Sequence, residues 1–288
     1  MAHYKKHFIV EPEGKFKLTD IDPGDHGKHE SHKSSQPELQ KYLQSLDQLQ
    51  YLMYSENKHS LLIVLQGLDT AGKDGVIRHV LAGMNPQGCT VTGFKQPTVQ
   101  ESAHDFLWRV HPHVPRKGPV AIFNRSHYED VLVTRVHKLV TKDMWSRRYA
   151  FINEFERLLA EENNTTIVKF FLHISKEEQL ARFEQRLDDP ARNWKISESD
   201  YTEREYWDDY RDAYEDLLQE TSTKHAPWFV IPSDHKWFRN LAISQILTET
   251  LESLGMKQPL PTVDIKDIAK RYHRAVKKQK EGKRRSGK

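Results

Sequence analysis

A phosphate-binding loop is the feature of this sequence that most constrains its fold. Residues 61–75 read LLIVLQGLDTAGKDG, in which an apolar run precedes the pattern Gly67-x-x-x-x-Gly72-Lys73. Glycines in such a loop let backbone N–H groups turn toward an anion, and the N-terminus of the following helix adds partial positive charge. The lysine reaches the phosphate that is transferred. The apolar run before the pattern and the helix-like residues after it supply the strand–loop–helix context of a working phosphate site.

Two carboxylates in this loop indicate that the site also holds a divalent cation. Asp74 stands where the pattern normally has Ser or Thr, whose hydroxyl ligates Mg²⁺, and Asp69 is a second acid inside the loop. A carboxylate there repels phosphate unless it faces a metal, a water or a basic neighbour. We therefore predict a metal-rich phosphoryl-transfer site with Mg²⁺, or Mn²⁺ as an alternative. The predicted phosphate-binding residues of the loop are Gly67, Thr70, Ala71, Gly72, Lys73, Asp74 and Gly75.

Composition favours a single large α/β enzyme domain over two domains or a disordered chain. The chain has 288 residues, of which 30% are charged and 37% hydrophobic. The single cysteine, Cys89, excludes an internal disulfide and suits a reducing compartment. No apolar run approaches the ~18 residues of a membrane span, and the N-terminus lacks the apolar core of a secretory signal. We expect a cytoplasmic protein without membrane contact.

The two ends of the chain differ in composition from its middle. Residues 1–36 are polar, contain several Gly and Pro, and predict an extended arm. Residues 277–288 hold seven Lys or Arg and one Glu, so the net charge of +3 comes from this tail. We expect a solvated end there, with a non-specific polyanion contact as the alternative. The predicted organisation is an arm (1–36), a kinase domain (37–265) and a basic tail (266–288).

Strand-like and helix-like segments alternate along the middle of the chain. Besides 61–65, strands are predicted at 89–94, 120–123, 166–174 and 228–232, and helices at 37–55, 73–83, 101–110, 142–162 and 240–254. This alternation predicts a parallel sheet covered by helices on both faces. Ligands of such sheets bind beyond the carboxyl ends of the strands. The loop, Lys95, Asn124, Arg125 and Ser175 all follow strand ends, so we expect them to converge.

Residues after the predicted third strand are candidates for phosphate and metal binding. Asn124 is an amide where phosphate-loop enzymes often carry an acid at the end of a strand, and Arg125 beside it is a candidate phosphate clamp. Glu129 or Asp130 could restore the missing carboxylate. Alternatively, these two acids cap a helix that begins near Ser126.

A cationic segment at about 180–200 is predicted to form a lid over the phosphates. Arg182 and Arg186 are four residues apart and share one helix face, and Arg192 and Lys195 follow them. Such lids stabilise charge in the transition state of phosphoryl transfer. A solvated helix with salt bridges to Glu184 is the alternative. The aromatic residues beyond the lid are predicted to pack a helix: Tyr201, Tyr206, Trp207, Tyr210 and Tyr214.

Five blocks of sequence together resemble the polyphosphate kinase 2 family. They are GLDTAGKDG, NPQGCTVTGFKQP, HDFLWRVH, FNRSHYEDVLV and RLDDPARNWKIS, and the resemblance runs from about residue 35 to 255. It implies a three-layer αβα P-loop kinase fold, similar to thymidylate kinase, with a helical lid. The aspartate after the P-loop lysine is typical of the subgroup that phosphorylates AMP as well as ADP. The implied donor is inorganic polyphosphate, and the implied assembly is a homo-oligomer.

The resemblance also implies a role for each matching residue. Asp69 would place Mg²⁺, and Lys73 would contact the transferred phosphate. Arg125 would bind phosphate after the strand, and Arg182 and Arg186 would be the lid arginines. Asn124 departs from the aspartate of many relatives, and Glu129 is our candidate for the second metal carboxylate.

Two other functions remain open from the sequence. An ATP-dependent nucleotide or nucleoside kinase shares the phosphate loop and the lid. A non-catalytic polyanion-binding module would use the loop and the basic tail, but it would gain nothing from Asp69 and Asp74. For the acceptor we expect adenine nucleotides, with guanine nucleotides as an alternative, and no specific nucleic acid.

Overall fold

Five parallel strands form one sheet, close to the positions at which apolar runs predict them. The computed structural model describes residues 3–286, without the side chains of residues 199, 200 and 281–286. The strands are β1 (Ser60–Gln66), β2 (Cys89–Gly93), β3 (Val120–Asn124), β4 (Thr165–His173) and β5 (Trp228–Pro232). Their order across the sheet is β2-β3-β1-β4-β5, so β1 is central. The phosphate loop therefore leaves the middle of the sheet at its carboxyl edge.

Helices cover both faces of the sheet. In chain order they are α1 (Tyr4–Phe8), α2 (His32–Glu56), α3 (Lys73–His79), α4 (Val99–Ser102), α5 (Glu129–Val136), α6 (Lys142–Asn163), α7 (Lys176–Asp188), α8 (Glu198–Glu205), α9 (Trp207–Thr221), α10 (Lys236–Glu252) and α11 (Ile265–Ser286). One layer contains α1, α2, α3 and α10, and the other contains α5, α6 and α9. The predicted three-layer α/β fold is confirmed.

The alternation of side chains along the central strand divides the core in two. Leu61, Ile63 and Leu65 of β1 join the cluster beneath α2 and α10, whereas Leu62 and Val64 join the cluster beneath α6 and α9. All seven residues of β1 are buried. A strand that is buried on both faces needs a continuous apolar run, and this is why the run before the phosphate loop predicts a central strand.

Several predicted helices differ from those observed: the helix predicted at 73–83 ends at His79, and the one predicted at 240–254 begins at Lys236. Helix α2 begins at His32 rather than near Pro37, because Ser31 caps it by accepting a hydrogen bond from the backbone N–H of Ser34 at 3.3 Å. The helix predicted at 101–110 is wrong over most of its length. Only α4 is helical there, and the Asp105 carboxylate accepts from the Leu107 N–H at 3.0 Å in a turn that interrupts the helix.

The N-terminal arm packs on the edge of the sheet instead of extending into solvent. Tyr4, Phe8 and Val10 are buried, and the Val10 N–H donates to the Trp228 carbonyl at 2.9 Å. Ile9 forms an antiparallel bridge with Phe229. The arm therefore protects the edge strand β5. Residues 1 and 2 of the predicted arm lie outside the described residues.

The described residues up to 256 form one compact unit, and the described residues from 257 onward form another. This unit contains α11, so the described part of the predicted basic tail is helical. Its apolar side chains Ile265, Ile268 and Tyr272 are about half exposed or more. Residues 287 and 288 of the tail lie outside the described residues. Within residues 3–286, none of the helices combines the length and the apolar character that crossing a membrane requires.

Candidate active site

The phosphate loop follows β1 in a conformation that only glycine can adopt at two positions. Gly67 has φ +150°, and a Cβ atom there would lie 2.9 Å from the Leu172 carbonyl oxygen. Gly72 has φ +112°, and a Cβ atom there would lie 1.8 Å from Nη1 of Arg239. The loop is thus packed tightly between β4 and α10, which fixes the position of its backbone amides.

Two non-glycine residues of the site also have positive φ angles. Thr70 has φ 66° and Arg125 has φ 61°, a left-handed conformation that costs L-residues energy and that is found preferentially at functional sites. The Thr70 hydroxyl oxygen is buried and has no hydrogen-bond partner among the described residues. A buried hydroxyl of this kind fits a loop whose partner is a phosphate oxygen.

Lys73 begins α3 and folds back over the loop. Its Nζ donates to the carbonyl oxygens of Gly67 at 2.6 Å and Leu68 at 3.3 Å. Burial and the neighbouring Arg125 lower the pKa of the Lys73 ammonium to about 8, although nearby carboxylates oppose the shift. A bound phosphate would supply the negative charge that favours the protonated form.

Arg125 lies between the two acids predicted to bind metal. Its Nη2 donates to Oδ1 of Asp69 at 2.8 Å, and its Nη1 donates to Oε2 of Glu129 at 3.3 Å. Burial acts to lower the pKa of Arg125, but the two carboxylates outweigh it and raise that pKa above its ordinary value. Burial raises the pKa of Glu129 despite the guanidinium. The three predicted residues therefore form one cluster beside Lys73.

The acid at the unusual loop position meets basic and amide neighbours. Oδ1 of Asp74 accepts a hydrogen bond from Nδ2 of Asn124 at 2.9 Å, and Oδ2 lies 3.5 Å from Nζ of Lys195. Burial acts to raise the pKa of Asp74, but Asn124 and Lys195 outweigh it, so the pKa is lowered. Asp74 thus stays ionised and connects the loop to the predicted lid.

The two predicted lid arginines occupy different environments. Arg182 is buried, and its guanidinium donates to Glu178 and to the carbonyl oxygens of Thr70, Ala71, Ser233 and Asp234. These bonds hold the guanidinium inside the protein, behind the loop, whereas an arginine of a lid would be exposed and would contact phosphate. We therefore assign Arg182 the role of positioning the loop. Arg186 is half-buried one turn later, and its Nη1 lies 3.4 Å from the Lys195 carbonyl oxygen.

A second buried arginine supports the loop from α10. Arg239 donates through Nη1 to the Ala71 carbonyl oxygen at 3.2 Å and through Nη2 to Oδ1 of Asn240 at 2.9 Å. Burial and nearby Arg182 lower the pKa of Arg239 to about 9. Sequence reasoning missed this residue because nothing in the sequence of α10 distinguishes a buried arginine from an exposed one.

A buried ionic cluster anchors the segment that carries Arg125 and Glu129. Lys169 of β4 donates to Oε2 of Glu156 at 2.6 Å, to the Tyr128 hydroxyl at 2.8 Å and to the Thr221 carbonyl oxygen at 2.8 Å. Lys169, Glu156 and Tyr128 are fully buried. Their hydrogen bonds hold the turn after β3, which sets the direction of Arg125.

A pocket of about 640 Å³ opens beside this cluster. Its walls include Asp69, Arg125 and Glu129 on one side and the exposed Lys95 on another. Three of the aromatic residues that were predicted only to pack a helix also line the pocket: Trp207, Tyr210 and Tyr214. Gln179 and Arg204 complete this part of the wall. The pocket therefore combines charged groups at the loop with an aromatic wall, a combination suited to a nucleotide.

The remaining predicted acid, Asp130, has a different ion-pair partner from Glu129. Asp130 accepts from Nη2 of Arg109 at 3.0 Å, and Arg109 also donates to the Lys95 carbonyl oxygen at 2.8 Å. Both Glu129 and Asp130 lie in the first turn of α5, where acids are favoured by the helix dipole. Asp130 thus fixes the wall that carries Lys95. Both acids line the pocket, but the Glu129 carboxylate, unlike that of Asp130, shares the Arg125 guanidinium with Asp69.

The donor set fits a magnesium ion that shares its coordination with substrate. Among the described residues, no group of three His, Cys, Asp or Glu side chains could hold a metal ion. Mg²⁺ usually takes one or two carboxylates and keeps waters and substrate phosphates as its other ligands. Asp69 and Glu129 are two such carboxylates, 28% and 15% exposed, at the wall of one pocket.

Comparison with known proteins places these features in one family. The family model described as "Polyphosphate kinase 2 (PPK2)" matches residues 11–259. An AMP/ADP-polyphosphate phosphotransferase of Meiothermus ruber is 52% identical over 257 residues, which is 89% of this chain and 96% of that protein. An ADP-polyphosphate phosphotransferase of Rhodopseudomonas palustris is 46% identical over 85% of this chain and 87% of its own length. The crystal structure of polyphosphate kinase 2 from Arthrobacter aurescens TC1 superposes with a TM-score of 0.90 at 41% identity, covering 96% of this chain and 97% of that chain.

Proposed function

The chain belongs to the polyphosphate kinase 2 family, and we propose that it transfers the terminal phosphoryl group of inorganic polyphosphate to AMP and to ADP, with Mg²⁺ as its metal. Polyphosphate-driven nucleotide phosphorylation is the activity that the names of its relatives share, so the chain is a transferase and a kinase. The observation that carries the mechanism is Arg125, which bridges Asp69 and Glu129 at the pocket.

The chemistry requires positioning and charge neutralisation more than acid–base catalysis. A phosphate oxygen of the nucleotide attacks the terminal phosphorus of polyphosphate in line and forms a new P–O bond. The bridging P–O bond of the polyphosphate breaks, and the shortened chain leaves with the electron pair. The attacking oxygen is already an anion, so no strong base is needed, but the repulsion between two polyanions must be suppressed.

The residues of the site divide this work. Lys73 and the loop amides hold the phosphoryl group that is transferred, and Arg125 neutralises charge on its oxygens. Arg186 is the lid cation that we assign to the transition state, whereas Arg182 and Arg239 hold the loop in shape from behind. Asp69 and Glu129 would hold the metal, which would neutralise part of the charge on the phosphates when bound.

Several finer properties are proposals of the same kind. The family uses a divalent metal, and the two hard carboxylates favour Mg²⁺, with Mn²⁺ as a substitute. The aromatic wall of Trp207 and Tyr210 favours stacking of a purine base, adenine first and guanine second. We also propose a homo-oligomer in the cytoplasm that has no specific nucleic-acid partner.

The decisive experiment separates the nucleotides formed when purified protein is mixed with Mg²⁺, polyphosphate and either AMP or ADP. ADP and ATP should form from AMP, and Lys73→Ala should lower turnover by orders of magnitude while its circular dichroism is unchanged. Lys41→Ala, which removes an exposed lysine of α2, is the matched control and should behave like the parent protein.

Other products would change the conclusion. ATP from ADP without any product from AMP would retain the family activity and contradict the AMP reaction. Absence of product with polyphosphate, combined with transfer from ATP to a nucleotide or nucleoside, would replace this proposal by an ATP-dependent kinase. Near-normal turnover of Lys73→Ala would contradict the role given to the loop.

A further inference from the structure

The net charge of this chain is divided unequally between its two compact units. Of residues 257–288, 12 are Lys or Arg and three are Asp or Glu, which gives a net charge of +9. Because the whole chain carries +3, residues 1–256 carry a net charge of −6. The proposed substrates are all anions, so the unit that contains the active site repels them outside that site, whereas the other unit attracts them.

Helix α11 presents much of this positive charge on one face. Four cations follow one another at spacings of four, four and three residues, so they form a basic row along the helix: Lys266, Lys270, Arg274 and Lys277. All four side chains are exposed. The large apolar side chains of the helix lie on the other side, at residues 265, 268, 272 and 276.

The basic row is electrostatically unfavourable by itself. Like charges three or four residues apart repel each other and destabilise a helix. Among the side chains that the structure describes, Asp267 pairs with Arg271 at 2.7 Å, and none of the four cations of the basic row forms an ion pair. A small anion would reach one or two of these cations, whereas an anion with many closely spaced charges would neutralise the whole row.

We propose that the basic row of α11 is a second binding site for inorganic polyphosphate, separate from the active site. It holds phosphates that do not react, so a long chain gains affinity from it and a short oligophosphate does not. Because both units belong to one molecule, a chain held by α11 stays at a raised concentration for the active site. The inference deepens the proposed function, since it takes polyphosphate as the donor. Helix α11 lies beyond residue 259, at which the match to the family model ends.

The distribution of charge favours a soluble polyanion over an anionic membrane surface. Amphipathic basic helices also bind such membranes, with their apolar side inserted. In this chain, however, Val276 is the last large apolar residue, and residues 277–288 hold seven Lys or Arg with no apolar side to accompany them. A polyphosphate chain can contact all of these cations, and polyphosphate is the substrate that the names of the relatives share.

Isothermal titration calorimetry of the full chain, with long-chain polyphosphate and with tripolyphosphate, tests the site without turnover. The row variant changes all four cations of the basic row to Gln, which keeps the helix propensity. It should bind long-chain polyphosphate about tenfold more weakly or worse, and its slope of log Kd against log salt concentration should be smaller by about 3, because four phosphate contacts are lost. Its affinity for tripolyphosphate should equal that of the parent protein.

The matched control removes the same number of charges from the other unit. It changes four exposed lysines to Gln: Lys33, Lys41, Lys58 and Lys142. This control variant should keep an affinity for long-chain polyphosphate close to that of the parent protein. In turnover assays the row variant should show a raised KM for long-chain polyphosphate with kcat unchanged, since α11 does not contact the reacting group.

Three outcomes would overturn the proposal. The first is a row variant that binds long-chain polyphosphate like the parent protein, and the second is an equal loss of affinity in the control variant. The third is sedimentation of the parent protein with anionic phospholipid vesicles that is lost in Ile268→Ser/Tyr272→Ser, combined with unchanged polyphosphate binding in the row variant, because it would assign α11 to a membrane surface. Absence of turnover with polyphosphate would contradict the proposed function instead, and the calorimetry would still decide whether α11 holds the chain.

Discussion

The Asn124 amide donates a hydrogen bond to the Asp74 carboxylate at 2.9 Å. These are the two residues at which the sequence differs from common phosphate-loop patterns. Asp74 replaces a hydroxyl residue at the start of α3, and Asn124 replaces an acid at the end of β3. An acid at both positions would place two carboxylates in contact. The amide at residue 124 therefore makes the aspartate at residue 74 acceptable, since it offers a donor where an acid would repel.

The pair can be tested by exchange. We expect Asn124→Asp to lower kcat/KM about tenfold or more, which corresponds to about 1.4 kcal/mol of transition-state stabilisation, because it sets two acids together beside the phosphates. The double variant Asn124→Asp/Asp74→Asn restores one acid and one amide, so it should recover part of this loss. Steady-state kinetics of the two single variants and the double variant give the coupling. Strictly additive losses would contradict a functional contact.

Lys73 should make activity depend on pH in the alkaline range. Because its pKa is lowered from 10.5 to about 8, the free enzyme loses the ammonium charge as pH rises through about 8. We expect kcat/KM for polyphosphate to fall above this pH, and kcat to fall at a higher pH because bound phosphate raises the pKa. A pH–rate profile measured to pH 10 checks this, and a flat profile would contradict it.

The same shift has a consequence for stability. Between about pH 8 and 10.5 the unfolded chain binds a proton at Lys73 that the folded chain has released. The contribution of this group to the free energy of unfolding should therefore rise with pH across that window. The free energy of unfolding of the parent protein and of Lys73→Ala should be measured by urea denaturation at several pH values. The variant should lack this pH-dependent contribution, and the difference between the two proteins separates the effect of Lys73 from that of other titrating groups.

Gly72 should tolerate no side chain. We expect Gly72→Ala to destabilise the fold by about 2 kcal/mol or more, because alanine is strained at φ +112° and its Cβ displaces the buried Arg239. Gly83→Ala is the matched control, since nothing lies within 4 Å of a Cβ atom there and its φ is not positive. That variant should change stability by less than ~1 kcal/mol. Urea denaturation of both checks the difference, and equal stabilities would contradict the packing argument.

Glu129 and Asp130 should respond differently to loss of charge. Glu129→Gln removes a carboxylate from the pocket, so the Mg²⁺ concentration for half-maximal activity should rise about tenfold. Asp130→Asn weakens only the ion pair with Arg109, and its Mg²⁺ requirement should stay close to that of the parent protein. Activity titrated with Mg²⁺ at fixed polyphosphate checks both variants. A larger change for Asp130→Asn would reverse the assignment.

The sequence by itself determined the sheet, the order of its elements and the loop, because these follow from local patterns. The apolar run at residues 61–65 predicts a strand buried on both faces because the phosphate-loop pattern of Gly67, Gly72 and Lys73 follows it directly. The convergence of Asp69, Arg125 and Glu129 was also predictable, since the carboxyl ends of neighbouring parallel strands meet at one edge of the sheet.

Only the tertiary structure decided which of two equivalent cations supports the loop and which lies apart from it. Arg182 and Arg186 are equivalent by helical spacing, yet one donates to carbonyl oxygens behind the loop and the other stays half-buried toward Lys195. Nothing in the sequence marked Arg239, and the aromatic residues Trp207 and Tyr210 were predicted only to pack a helix, not to line the pocket. Their roles depend on distances between elements far apart in the chain, and local periodicity carries no information about these distances. The guanidinium of an arginine can donate to carboxylates, to phosphates or to backbone carbonyl oxygens, and the packing around it determines which of these it meets.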